Sequence, residues 1–209
     1  MQLNRGRIGQ ILLISLSAAF MASGCASFAG RELPTHTNEQ LLNPEKKIFA
    51  SYDVKAFGPH GENSIAASKL DKEIQKVLSA GPLFAELKSG SAQGDYHYSF
   101  VFHNEGRPPE VIAFLNGFIS GLTLGVIPAY GRDIFIMTVD VKQNDHVLKT
   151  YTYTDHMDSW IQLLLVFLTP FNWPPSVASS IIDNMIINFA HDFSNDVRSG
   201  VYLVQQNKN

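Results

Sequence analysis

Seven histidines and one cysteine are the residues of this 209-residue chain best suited to chemistry. Asp155-His156-Met157-Asp158 gathers two carboxylates around an imidazole, and His191-Asp192 repeats the pairing further on. Such groups serve metal binding or acid–base catalysis. Zinc sites, however, need donors at set spacings: His-Glu-x-x-His is absent, and Cys25 is the only thiol. Short His/Asp clusters at strand ends are ordinarily solvated turn residues, and that is the expectation here. The Gly-x-Ser-x-Gly turn of many serine hydrolases does not occur, since Asn116-Gly117-Phe118-Ile119-Ser120-Gly121 lacks the required placement. Gly117-x-x-x-Gly121 is not followed by Lys-Ser/Thr, which removes a phosphate loop. Glu105 and Glu110 flank Arg107 with nothing tying them to a substrate. The chain therefore reads as non-enzymatic, with no catalytic residue, no metal and no cofactor expected.

Cys25 is informative for another reason. It closes a stretch with a basic start (Arg5, Arg7), an apolar middle (Ile11-Leu12-Leu13-Ile14 through Phe20-Met21) and small residues (Ala22-Ser23-Gly24). That order is a secretory signal, and an apolar run of roughly 11 to 14 residues is short of the ~20 that cross a bilayer as a helix. Ser23-Gly24-Cys25 resembles the lipobox of bacterial lipoproteins, although Ala22 and not Leu stands three places before the thiol. The resemblance covers about the first 25 residues. It implies that Cys25 becomes the first mature residue and carries acyl chains on its sulfur and amine. Two or more chains hold a protein stably at a membrane, at ~0.8 kcal/mol per buried methylene. Ala26, where such lipoproteins can carry Asp, implies transport to the outer membrane, facing the periplasm.

Composition bounds the rest. The chain holds 16 Lys+Arg against 19 Asp+Glu, and loss of Arg5 and Arg7 with the signal leaves 14 against 19, a balance of −5. A mildly acidic domain has no electrostatic reason to seek nucleic acid. With no second cysteine there is no internal disulfide, so stability must come from burial. Charged residues make up 17%, below the ~25% of ordinary soluble domains.

The elements that would position these groups follow from periodicity. Residues 1–24 read as the signal, 25–46 as a lipid-anchored tether rich in Gly, Pro and Asn, and 47–209 as one domain. Ile48 to Val54 predicts a strand, closed by Gly58-Pro59-His60-Gly61. Asn63 or Ser64 can cap a helix whose apolar stripe is Ile65, Leu70, Ile74, Val77 and Leu78, ending at Gly81-Pro82. Tyr96 to His103 alternates as a strand. Ile134 to Val141 and Val147 to Tyr153 flank a polar turn of about five residues and predict an antiparallel hairpin, with Tyr151 and Tyr153 on the packed side and Thr150, Thr152 and Thr154 on the wetter one. After Pro174-Pro175, Val177, Ile181, Ile182, Met185, Ile186, Phe189, Phe193 and Val197 form one stripe of a long helix, with Asp183, Asn188, Asp192 and Asp196 away from it. A short strand is expected at Val201 to Val204. The class is α+β: a small, mainly antiparallel sheet with helices packed on one face.

Two stretches account for the missing charge. Val111 to Tyr130 contains no Asp, Glu, Lys, Arg or His, and neither does Ser159 to Pro175. The first carries Gly117, Gly121 and Gly125 at spacing four, which on a helix lets another helix approach closely. The second is bracketed by Trp160 and Trp173, as aromatic residues bracket membrane interfaces. These five residues are candidates for contact with a membrane or an envelope protein partner. The reading adopted for both stretches is burial, the first as a tight connection in the core and the second against the hairpin. The alternatives for the first are a membrane-surface segment or a spanning helix.

The function expected is a membrane-anchored envelope lipoprotein acting as a binding or assembly module, its partners the membrane through Cys25 and a protein of the envelope. A membrane-perturbing or pore-associated lipoprotein using residues 111–128 is the alternative, and an envelope hydrolase the third.

Overall fold

The computed structural model describes residues 24–37, 47–90, 94–105, 110–123, 126–162, 165 and 167–202. Seven strands and three helices follow one another: β1 (Gly24–Ala29), β2 (Ile48–Gly58), β3 (Gly61–Glu62), α1 (Ser64–Ser79), β4 (Phe84–Ser89), β5 (Tyr96–Glu105), α2 (Glu110–Leu122), β6 (Ala129–Gln143), β7 (His146–Gln162) and α3 (Pro174–Arg198). The strands join in the order β1-β7-β6-β5-β2-β3, with β4 also pairing β2. The fold is α+β and the sheet mainly antiparallel, as the pattern predicts; β2 alone makes parallel pairings, with β4 and with β5.

Local chemistry explains these boundaries. Asn63 caps α1, its Oδ1 accepting from the Ala66 amide at 2.9 Å. Leu70, Ile74, Val77 and Leu78 are buried as their spacing predicts, whereas Ile65 is exposed. The hairpin turn is shorter than expected. Only Asn144 and Asp145 form it, both with positive φ (49° and 64°), the two-residue turn whose twist matches that of the strands it joins. The polar neighbours Lys142, Gln143 and His146 belong to the strand ends.

The chain divides into two compact units interleaved in sequence. The first comprises Met1–Ala29, Gly106–Asp133 and Met157–Ala178, the second Gly30–Glu105, Ile134–His156 and Ser179–Asn209. The second unit holds an aromatic core. Tyr52, Tyr98, Phe100 and Phe102 point to one face of the sheet together with Met137, Val139, Val141, Tyr151 and Tyr153. Phe189 and Phe193 of α3 pack there, with Phe189 5.4 Å from both Tyr98 and Phe100. Asn188, expected outside the α3 stripe, is buried instead, because its Nδ2 donates to the carbonyls of Pro34 (2.9 Å) and Asn184 (2.8 Å). Val201 and Tyr202 are helical where a strand was expected, and residues 203 and 204 lie outside the described residues.

Candidate functional site

The tether expected after Cys25 is not a slack segment where it is described. Residues 24–29 form β1, antiparallel to the end of β7, with Cys25 opposite Ile161 and Ala26 opposite Trp160. Small side chains let Ala26 and Ser27 be fully buried there. Ser27 Oγ meets Ser159 Oγ at 2.7 Å, and the Ser27 amide donates to Asn172 O at 2.9 Å, which covers part of the strand's outer edge. In the second unit, residues 30–37 are also pinned. Gly30 N donates to His156 O at 2.8 Å, and the His156 ring lies so close that a Cβ on Gly30 would sit 2.3 Å from it. His156 Nδ1 meets Glu32 Oε1 at 2.9 Å, and the rings of His36 and His191 stack at 4.0 Å. Residues 38–46 of the expected tether lie outside the described residues.

Burial also fails where it was expected. Among the described residues, thirteen large apolar side chains of the first unit are exposed: Phe28, Leu115, Phe118, Ile119, Leu122, Val126, Ile127, Trp160, Ile161, Phe167, Leu168, Phe171 and Trp173. The second unit exposes three, Phe49, Ile65 and Val147. Among the described residues, both charge-free stretches therefore place most of their large apolar side chains at the surface. Leu115, Phe118, Ile119 and Leu122 recur at i, i+3, i+4 and i+7, the spacing of one helix face, and on α2 that face is turned outward. Phe167 and Phe171 are 77% and 81% exposed.

Gly117 and Gly121 lie on α2, at the surface of the first unit. Among the described residues, a Cβ at Gly117 or Gly121 would meet nothing within 4 Å, and Gly125 lies outside the described residues. α2 has 13 residues, about 20 Å at 1.5 Å per residue, against ~30 Å of bilayer hydrocarbon. No helix among the described residues is long and apolar enough to cross a membrane.

Polar groups amid this surface are satisfied internally. Asn116 Nδ2 donates to Tyr130 O (2.8 Å), Thr123 Oγ1 to Ile119 O (3.0 Å), and Thr123 Oγ1 accepts from Ile127 N (3.1 Å). Around 167–173, the amides of Leu168 and Thr169 donate to Leu165 O, those of Phe171 and Asn172 to Leu168 O, and Thr169 Oγ1 to Leu165 O. The Trp160 ring sits 4.7 Å from that of Tyr130. Asp158, beside them, takes Tyr130 OH at 2.6 Å and both Arg132 Nε (2.6 Å) and Nη2 (2.9 Å). The hydrogen bond to Asp158 pushes the Tyr130 phenol up and keeps it protonated. Burial likewise pushes the Cys25 thiol up, away from the thiolate a reactive cysteine needs.

The candidate chemical clusters do not converge. Asp155 belongs to β7 and is buried, contrary to the solvated turn expected, and accepts from the amides of His156 (2.8 Å) and Glu32 (3.4 Å). Asp158 serves Arg132, and Asp192 accepts from Tyr153 OH at 2.9 Å. Among the described residues, no three of His, Cys, Asp and Glu gather where they could hold a metal ion. One Ser/His/Asp constellation escaped the sequence reading because it crosses two strands. Ser51 Oγ meets His97 Nδ1 at 2.9 Å, His97 Nε2 meets Asp53 Oδ1 at 2.7 Å, and Ser99 Oγ donates to the same Oδ1 at 2.8 Å. Ser51 and Asp53 lie two apart on β2 and pair with His97 and Ser99 on β5, so all four share the face opposite the aromatic core. Ser51 is 1% exposed, which leaves its hydroxyl no open approach for a substrate.

No family model matches the chain, and no curated protein matches it. Solved structures resemble it at low identity, two of them as follows. One is a variant PelC dodecamer from Paraburkholderia phytofirmans, at 12% identity over 78% of this chain and 91% of that one, with a TM-score of 0.35. The other is protein XCC0632 from Xanthomonas campestris, of family DUF330, at 7% identity over 79% and 91%, with a TM-score of 0.40.

Proposed function

We propose that this chain is a cell-envelope lipoprotein, anchored through acyl chains on Cys25 and acting as a non-enzymatic binding or assembly module. One observation carries the reading: among the described residues, thirteen exposed large apolar side chains belong to the unit that contains Cys25, and three to the other. An apolar surface of that extent on a soluble domain marks an interaction site. The basic, apolar and small residues before Cys25 support export and acylation, and Ala26 supports the outer membrane, facing the periplasm. The burial of Ser51 and the separate engagement of Asp155, Asp158 and Asp192 support a module without catalysis. The test is metabolic labelling with an alkyne fatty acid, followed by mass spectrometry of the N-terminal peptide. Wild-type protein should carry the label on Cys25, and Cys25→Ser should carry none. Wild-type protein without label would refute acyl anchoring.

A further inference from the structure

We propose that the apolar surface of the first unit rests in the lipid bilayer, so that α2 and residues 167–173 form a second membrane contact beside the acyl chains. The inference builds on the acylation of Cys25 and goes further, because it states what the exposed surface touches.

The first argument is reach. A lipoprotein domain on a long tether can stand off its membrane. Here the residue that would bear the acyl chains is itself a strand residue, opposite Ile161, which puts the two Cα atoms about 4.5–5.5 Å apart. Acyl chains that start inside the unit hold that unit at the headgroups. Ile161 and Trp160, the partners of Cys25 and Ala26, are both exposed.

The second argument is chemistry. Val111 to Tyr130 and Ser159 to Pro175 bring no charge to this surface, whereas protein interfaces carry a polar rim around their apolar centre. The bilayer penalises unsatisfied polar groups, and polar side chains of this region are hydrogen-bonded within the protein. Asn116, Thr123, Thr169 and Gln162 all bond to protein carbonyls. Unpartnered, the Asn116 amide and the Thr123 hydroxyl would oppose lipid contact, and these hydrogen bonds lower that cost.

The third argument is shape. α2 turns the stripe Leu115, Phe118, Ile119 and Leu122 outward and is too short to span. A helix of that kind lies in the plane of the interface, its apolar face about 5–10 Å into the headgroup and acyl boundary. Trp160 and Trp173 are amphipathic anchors of the type found at that depth.

The two tryptophans are the only ones in the chain, and both belong to the first unit. Their fluorescence therefore reports this surface alone. The protein as purified from membranes is reconstituted into phosphatidylethanolamine/phosphatidylglycerol vesicles whose acyl chains are brominated either near the headgroup or near the methyl end. Mass spectrometry of the same sample reads acylation separately. The expected result is a blue-shifted emission quenched more strongly by the shallow bromines, with Trp160→Phe and Trp173→Phe each retaining part of the quenching. Leu122→Asp combined with Phe171→Asp should remove the blue shift. In protein lacking acyl chains, the same pair should weaken vesicle binding about a hundred-fold or more, since two large apolar side chains are withdrawn from the apolar phase.

Acylated, vesicle-bound protein with unquenched tryptophans would overturn the inference while leaving the anchor intact. The same emission accompanied by self-association in sedimentation would assign the surface to a second copy and overturn it too. Protein without acyl chains whose tryptophans are still quenched would uphold the inference and refute the anchor. Failure of such protein to bind vesicles would overturn it.

Discussion

Replacing Phe189 by alanine should be among the most damaging single truncations in the second unit. The side chain is fully buried, and its ring lies 5.4 Å from Tyr98, 5.4 Å from Phe100, 5.6 Å from Tyr151 and 5.8 Å from Phe193. Three of those contacts are edge-to-face, with interplanar angles of 74°, 80° and 80°, the arrangement aromatic quadrupoles favour. Truncating a core phenylalanine costs about 3–5 kcal/mol through lost burial and the cavity left behind. Four aromatic neighbours from both sheet and helix leave little room for collapse, which places this site near the upper end, about 4–5 kcal/mol. At roughly 2–4 °C per kcal/mol for a protein of this size, the midpoint of thermal unfolding should fall by about 8–20 °C. Circular dichroism melts of wild type and variant measure it. Ile182, half-buried on the flank of α3, is the internal control, and Ile182→Ala should fall distinctly less. A midpoint lowered by less than about 3 °C for Phe189→Ala would refute the packing of α3 on the sheet.

Two further outcomes follow from the same geometry. Gly121→Leu should not destabilise the fold, since a Cβ there meets open space and a helix-favouring residue replaces glycine, a gain of up to about 1 kcal/mol in unfolding free energy; a marked loss of stability would show that a neighbour packs on α2. Ser51 should resist a fluorophosphonate probe, and Ser51→Ala should change stability by about 1 kcal/mol through its lost hydrogen bond to His97; specific labelling of Ser51 would reopen hydrolysis.

Local signals in the sequence carried much of the fold. The stripe and cap of α1, the hairpin of β6 and β7, and the stripe of α3 each rest on side chains within a few turns or residues of one another, so periodicity reveals them. β4 left no such trace. It buries Phe84 and Leu87, three apart, because its pairing with β2 shifts register between Ile48 and Phe49, and alternation is lost. β1 was hidden by composition: Gly24-Cys25-Ala26-Ser27 looks like the end of a signal, yet the same small side chains let the strand be buried beside β7. The apolar surface was the largest error. Leucine and phenylalanine read alike whether a core or a bilayer surrounds them, and only the placement of α2 and residues 167–173 turns them outward. The glycine spacing licenses close approach by a partner without requiring one. The Ser51, His97 and Asp53 cluster depends on the register of β2 with β5, which no local pattern encodes.

Thiol accessibility in vesicles tests most directly the proposal that the apolar surface of the first unit faces a membrane. Cys25 is the only cysteine, and once acylated it has no free thiol, so an introduced cysteine reports its own surroundings. Leu122→Cys and Phe171→Cys probe the first unit, and Val147→Cys the exposed hairpin tip of the second. With the lipidated protein on vesicles and a membrane-impermeant maleimide, the account predicts rapid reaction at position 147. Positions 122 and 171 should be protected until detergent dissolves the bilayer. Equal reaction at all three positions on intact vesicles would contradict it.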